Sequence, residues 1–178
     1  MMNINFNELT PLDGGRLVDP RSGLIFPWYT KPFLERLCSW DIKNWRVFEY
    51  GCGDSTFWWR DNVKEVISID TNKEWSDKCL SNYTSDKHQF INYPLNFIED
   101  EKFDCIIIDG EPIEWRDYCT EVAIKSLKKN GILIIDNYKQ DTVLLGNWPL
   151  TDSLLYDKKC EILKQENHID WKTAYWVI

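Results

Sequence analysis

The chain has 178 residues, 43% of them hydrophobic and 15% aromatic, with a formal net charge of −8. That length predicts one domain with a substantial core, and the acidic balance argues against a duplex DNA or RNA partner, which calls for a basic face. Without an apolar run of membrane length or a signal peptide, the expectation is a cytoplasmic protein with no membrane partner.

Residues 1–27 carry Pro11, Gly14, Gly15, Pro20, Gly23 and Pro27, too many breakers for a long helix. Ile4, Phe6, Leu9, Leu12, Leu17, Ile25 and Phe26 are interleaved with them. The segment is predicted to be an arm packed over the open end of a sheet. From Lys31 or Pro32 to about Trp40 the spacing predicts a helix. Pro32 suits its first turn, and Phe33, Leu34, Leu37 and Cys38 form its apolar face.

Val47 to Thr56, VFEYGCGDST, reads as a buried strand that stops at glycines and turns into a helix. Gly51 and Gly53 let the backbone turn sharply and pass close to a ligand. Ser55 or Thr56 can start the helix by accepting from its free amides. A glycine loop between strand and helix is how open α/β sheets bind nucleoside cofactors. The dinucleotide fingerprint needs a third glycine where this chain has Thr56, which counts against NAD or FAD. No G-x-x-x-x-G-K-[ST] loop is present either. The second predicted strand, Glu65 to Asp70, ends in a carboxylate about 20 residues beyond the glycines, placed to take two ribose hydroxyls. Glu49, with Asp54, suits a cationic cofactor without phosphates, which describes S-adenosylmethionine.

The helix from about Ser55 to Asn62 carries Phe57, Trp58 and Trp59, which cannot all face one way, so at least one is predicted to pack on the sheet. Thr71 and Asn72 follow the second strand, and a helix is predicted over Glu74 to Tyr83. His88 to Asn92 is a short third strand, with His88 at its solvent end. Phe103 to Gly110, FDCIIIDG, has the continuous apolar run of a central parallel strand. It ends at Asp109, which the switch-point rule puts at a ligand site, and Gly110, Glu111 and Pro112 open a loop. Trp115 to Lys129 is predicted as an amphipathic helix closed by Asn130 and Gly131, and Gly131 to Asp136 as the fifth strand, followed by Asn137. Beyond Tyr138 the pattern is irregular, with a helical turn over Asp141 to Asn147 broken at Trp148-Pro149. Cys160 to Lys164 and Thr173 to Ile178 read as the last two strands, paired across residues 167–170. The six cysteines show neither C-x-x-C nor zinc spacing and are expected to be reduced and mostly buried.

Four motifs, VFEYGCGDST, VISID, FDCIIIDG and GILIIDN, stand in the order of those in class I S-adenosylmethionine-dependent methyltransferases, and the chain from Trp28 onward resembles that family. The resemblance implies a Rossmann-like three-layer α/β/α sandwich over residues 28–178. Its seven-stranded, mostly parallel sheet would have the order 3-2-1-4-5-7-6, with right-handed crossovers and the last strand antiparallel. It implies cofactor contacts from Glu49, Gly51, Cys52, Gly53, Ser55, Asp70 and Thr71. Asn92 and Tyr93 would meet the adenine, and Asp109 would lie near the methionine end. Asp109, and after it Glu111, would orient the acceptor or remove its proton, the alternative for Asp109 being simple contact with the donor's charged end. Tyr138, Lys139 and Trp148 are candidates for the acceptor pocket. The resemblance further implies that the arm over residues 1–27 is a lid, the alternative being plain packing. Asp109, Asp136 and Asn137 match the metal triad of catechol O-methyltransferase-like enzymes, whose oxygen ligands suit Mg²⁺. Metal-free methyltransferases carry Asp at the same strand ends, so both readings stand. The expected function is methyl transfer to a small molecule. The alternatives are an inactive S-adenosylmethionine-binding or scaffold protein of the same fold, and an NAD-linked reductase that Thr56 disfavours.

Overall fold

The structure, a computed structural model, describes residues 4–12, 16–83, 86–92, 102–110, 112–139, 147–166 and 171–178. After a short 3-10 turn (Phe6–Glu8), the strands β1 (Thr10–Leu12), β2 (Arg16–Val18) and β3 (Ile25–Pro27) form a small antiparallel sheet. The sequence predicted no strands here, because its prolines and glycines hide three-residue pairings. Leu9, Leu17 and Phe26 are buried from this segment and join the core around α1 (Lys31–Cys38).

The central sheet begins with β4 (Arg46–Tyr50), which leads into α2 (Asp54–Asn62). There follow β5 (Glu65–Asp70), α3 (Lys73–Tyr83), β6 (His88–Asn92), β7 (Phe103–Ile108), α4 (Glu114–Ser126), β8 (Leu127–Asp136), α5 (Pro149–Leu154), β9 (Cys160–Lys164) and β10 (Lys172–Val177). Their order across the sheet is β6-β5-β4-β7-β8-β10-β9, which is 3-2-1-4-5-7-6 counted from β4. The first five strands run parallel and β10 runs antiparallel to both β8 and β9, as the sequence leads one to expect.

Strand alternation sorts the core into two layers. Val47, Val66, Cys105, Ile107 and Ile134 face the α1 and α2 side, where Trp59 is fully buried. Phe48, Tyr50, Ile67, Ile69, Ile106, Ile108, Leu133 and Ile135 face the α4 and α5 side. Glu49 falls in the first row, which puts a carboxylate inside the core beneath the start of α2.

Several local expectations are corrected. Helix α4 stops at Ser126, and Leu127 to Asn130 already belong to β8, where a register shift against β7 and a left-handed Asn130 (φ 63°) absorb the irregularity. Trp148-Pro149 opens α5 instead of breaking a helix, because proline suits a first turn. His88 is buried, with Nε2 3.1 Å from Ser68 Oγ, and so is not at a solvent end. The five described cysteines are free thiols, but Cys38 and Cys160 are exposed. Residues 141–146, which carry most of the expected helical turn, and residues 167–170, which connect the closing hairpin, lie outside the described residues, while the hairpin strands themselves pair as expected.

Candidate active site

The site forms where β5, β4, β7 and β8 end together. Gly51 is left-handed (φ 95°) and lies against the next strand end: a Cβ there would stand 2.4 Å from Gly110 Cα. Only glycine meets both demands. Its amide donates to the Ile69 carbonyl at 2.8 Å, which anchors the loop to β5. The Cys52 amide donates to Asp70 Oδ2 at 3.2 Å, and the Cys52 carbonyl accepts from Trp75 Nε1. The loop is thus held from β5 and from the first turn of α3. Asp70 also accepts from the Asn72 amide at 2.8 Å. Burial raises its pKa, and these backbone donors oppose the rise.

Thr56, the residue that departs from the dinucleotide fingerprint, has a structural task. Its Oγ1 accepts from the Gly53 amide at 3.0 Å and donates to Glu49 Oε2 at 2.5 Å, so it both starts α2 and ties the loop to β4. Glu49 accepts from Ser55 Oγ and Ser68 Oγ as well, each at 2.9 Å. This carboxylate is fully buried, and burial pushes its pKa up to about 7 against the three hydroxyl bonds that lower it. It orders the loop from beneath and does not line the cleft, where the sequence reading had it help meet an ammonium group.

The cleft itself encloses about 580 Å³. Gly51, Cys52, Gly53, Asp54, Ser55, Asp70 and Asn72 form one side, Asp109, Gly110, Arg116, Asp136 and Asn137 the other, with Trp28 and Trp75 as its aromatic residues. Asp54, Asp70 and Asp109 thus border the cleft together with one guanidinium, while the Asp136 carboxylate is turned onto Thr173 Oγ1. Beside it a narrow apolar slot runs between Ile69, Asp70 and Thr71 on one hand and Ile108, Pro112 and Trp115 on the other, with Tyr50 beneath. The buried Tyr50 hydroxyl has no hydrogen-bond partner among the described residues.

Arg116, in the first turn of α4, is 4% exposed. Its Nη1 donates to the Asp136 carbonyl at 3.0 Å and to Asn137 Oδ1 at 3.2 Å, and lies 3.2 Å from Asp109 Oδ1. Nη2 donates to the Asp109 carbonyl and Nε to the Gly110 carbonyl. Asn137 adopts a left-handed conformation (φ 56°), which asparagine tolerates better than most residues. Asp136 is buried and accepts from Thr173 Oγ1 at 2.5 Å; burial, then the nearby Asp109 charge, raise its pKa.

This arrangement does not fit the Mg²⁺ that the sequence reading allowed on Asp109, Asp136 and Asn137. A guanidinium already sits among those residues. Mg²⁺ needs its oxygens free at about 2 Å, and the guanidinium already holds those of Asp109 and Asn137. Among the described residues no group of three or more His, Cys, Asp or Glu is arranged to hold a metal ion.

Of the predicted site residues, Gly51, Cys52, Gly53, Ser55, Asp70 and Asp109 line the cleft, Thr71 lines the slot, and Glu49 lies below. Tyr93 and Glu111, and the side chain of Asn92, lie outside the described residues. Tyr138 and Trp148 are core residues packed on each other, and Lys139 pairs with Asp152, so none of the three lines the cleft. Sequence reasoning missed Arg116, Trp28, Trp75 and the slot. The only signal for Arg116 was a basic residue one turn into the helix after FDCIIIDG. Trp28 stacks on Trp171 at 5.6 Å, a contact between distant segments that no local pattern announces.

No protein-family model and no curated protein matches the chain. Solved structures do. An O-methyltransferase from Bacillus cereus, in complex with SAH, superposes with a TM-score of 0.61 at 18% identity, over 75% of this chain and 74% of that one. N-methyltransferase NodS from Bradyrhizobium japonicum gives 0.61 at 16% identity, over 82% and 92%. A TehB-like SAM-dependent methyltransferase from Corynebacterium glutamicum gives 0.61 at 13% identity, over 84% and 87%. The chain has the fold of the class I S-adenosylmethionine-dependent methyltransferases.

Proposed function

We propose that this chain is an S-adenosylmethionine-dependent methyltransferase acting on a small-molecule acceptor by direct in-line transfer. The observation that carries the reading is the convergence of the glycine loop, Asp70 and Asp109 on one cleft, from three adjacent parallel strand ends. The cleft's charge suits the donor: Asp54, Asp70 and Asp109 favour a cation over the pyrophosphate of a dinucleotide. Its size suits a small acceptor, and its acidity disfavours a nucleic acid.

In this reading the backbone of Gly51, Cys52 and Gly53 holds the methionine end of the donor, with Ser55 beside it. Asp70 takes the ribose hydroxyls with the lone pairs that Cys52 and Asn72 leave over. The apolar slot, with Thr71, Asn92 and Tyr93, takes the adenine. When bound, the donor supplies a methyl group made electrophilic by its sulfonium. The protein's own task is then to align an acceptor with it and exclude water. Asp109, with Glu111 after it, orients the acceptor and receives its proton. Trp28 borders the cleft of a single domain whose core is residues 28–178, at work in the cytoplasm, and the arm over residues 1–27 packs on that core through Leu9, Leu17 and Phe26.

Isothermal calorimetry with S-adenosylmethionine, S-adenosylhomocysteine and NADH tests this. The expected result is binding of both sulfur compounds, none of NADH, and a loss of affinity of about ten-fold or more in Asp70→Ala, as removal of a charge-assisted pair of hydrogen bonds implies. No binding of either sulfur compound would leave a scaffold of the same fold.

A further inference from the structure

Three strand-end oxygens converge at the floor of the cleft: the Asp109 carboxylate, the Asp136 carbonyl and the Asn137 side-chain carbonyl. The Arg116 guanidinium touches all three and accounts for two further carbonyls, those of Asp109 and Gly110. A planar fork of five donors suits such a ring of oxygens, and a buried ionised group persists only when paired in this way. The same three residues make a hard-ion ligand set in sequence, yet Arg116 engages the side-chain oxygens of Asp109 and Asn137, and the Asp136 carboxylate accepts from Thr173 Oγ1.

We propose that Arg116 is the resident cation of the site. Its guanidinium fills the seat of a divalent ion and, as a positioning residue, holds the Asp109 carboxylate at the cleft. The assignment does not rest on the identity of the donor, since every group involved belongs to the chain. It has an unusual consequence: removal of the guanidinium uncovers a cation site, with Asp109 and Asn137 among its ligands, whereas loss of a merely structural arginine would create nothing.

The test uses Mn²⁺ alone as probe, followed by electron paramagnetic resonance on the full chain. Wild type and Arg116→Lys, which keeps a positive charge, are expected to show no saturable binding. Arg116→Ala is expected to bind one Mn²⁺ at least about ten-fold more tightly than wild type, as relief of like-charge repulsion requires. Adding Asn137→Ala should remove that gain. Because Arg116→Ala leaves several oxygens without a donor, Arg116→Gln is carried alongside, and Tm is recorded with and without Mn²⁺. It should rise with Mn²⁺ concentration in the neutral variants only.

Saturable binding by wild type that Asn137→Ala abolishes would overturn the assignment. So would a folded Arg116→Ala or Arg116→Gln protein that binds Mn²⁺ no better than wild type, or failure of both to fold even with Mn²⁺ present. Calorimetry with S-adenosylhomocysteine on wild type separates the two readings: no binding there, with the Mn²⁺ gain intact, removes the methyltransferase and leaves Arg116 as assigned.

Discussion

Glu49 is the group whose burial gives the most measurable consequence. Its side chain is fully enclosed, accepts from Ser55, Thr56 and Ser68, and carries a pKa pushed from the ordinary 4.5 up to about 7. The folded protein therefore binds this proton more tightly than the unfolded chain does. Its contribution is fully present below pH 4.5 and is lost as pH rises through about 7. The whole displacement corresponds to about 3 kcal/mol, most of which falls between pH 5 and pH 8. That is a large part of the roughly 5–15 kcal/mol a domain has. Asp136 is raised in the same direction, so wild type loses stability from both groups over this range. Glu49→Gln, close in shape and never charged, should lose on the order of 2–3 kcal/mol less than wild type between pH 5 and pH 8. Urea unfolding of both proteins at pH 5 and pH 8 reads this double difference, in which Asp136 cancels. An equal fall in the two proteins would refute the claim that burial raises the Glu49 pKa.

Four other perturbations probe the loop and the slot. Gly51→Ala forces a left-handed residue and drives a Cβ into the backbone of Gly110; about 2–5 kcal/mol should be lost in urea unfolding, with S-adenosylhomocysteine binding abolished. Thr56→Ala removes both the bond to the Gly53 amide and the one to Glu49 and should destabilise by about 1–2 kcal/mol, while Thr56→Ser keeps most of that stability. Tyr50→Phe deletes a buried hydroxyl that has no partner among the described residues; the free protein should gain roughly 1 kcal/mol, while calorimetry reports weaker nucleoside binding if that hydroxyl meets the adenine. Asp109→Asn should leave S-adenosylhomocysteine binding within about three-fold if the carboxylate serves the acceptor, and weaken it by about ten-fold or more if it meets the donor's charged end.

The sheet was legible in the sequence because each parallel strand announces itself alone. Runs such as Cys105 to Ile108 need both faces covered, and their order along the chain, with right-handed crossovers, leaves few ways to lay them side by side. The strand-end carboxylates were legible for the same reason: Asp70 and Asp109 follow directly from where their strands stop. What stayed hidden are contacts whose partners lie far apart. Trp28 against Trp171 and the three-residue strands of the arm depend on tertiary pairing, which local propensity does not encode. Thr56 is legible as a missing glycine and as a residue able to start the helix, but its bond to Glu49 is not, because a fingerprint scores a position against one template. The same hydroxyl placed one turn into a helix is also a capping group.

The two misread charges share a cause. A carboxylate in a motif suggests a ligand contact, yet alternation along β4 turns Glu49 away from the strand end and under α2, where the hydroxyls of Ser55, Thr56 and Ser68 reach it. A set of oxygens suggests a metal, yet α4 starts close enough to β7 for Arg116 to reach back across the strand ends and occupy the place. In both cases residue types fixed the available chemistry, while strand alternation and helix entry fixed which partner each charge met. The cleft consequently has charges of two kinds. Glu49 and Arg116 are spent within the protein on shaping the loop and the floor, and Asp54, Asp70 and Asp109 face the open volume. Substitutions in the first pair should alter folding and pH dependence, and those in the second set ligand affinity, so stability and binding measured on the same variants separate the two roles.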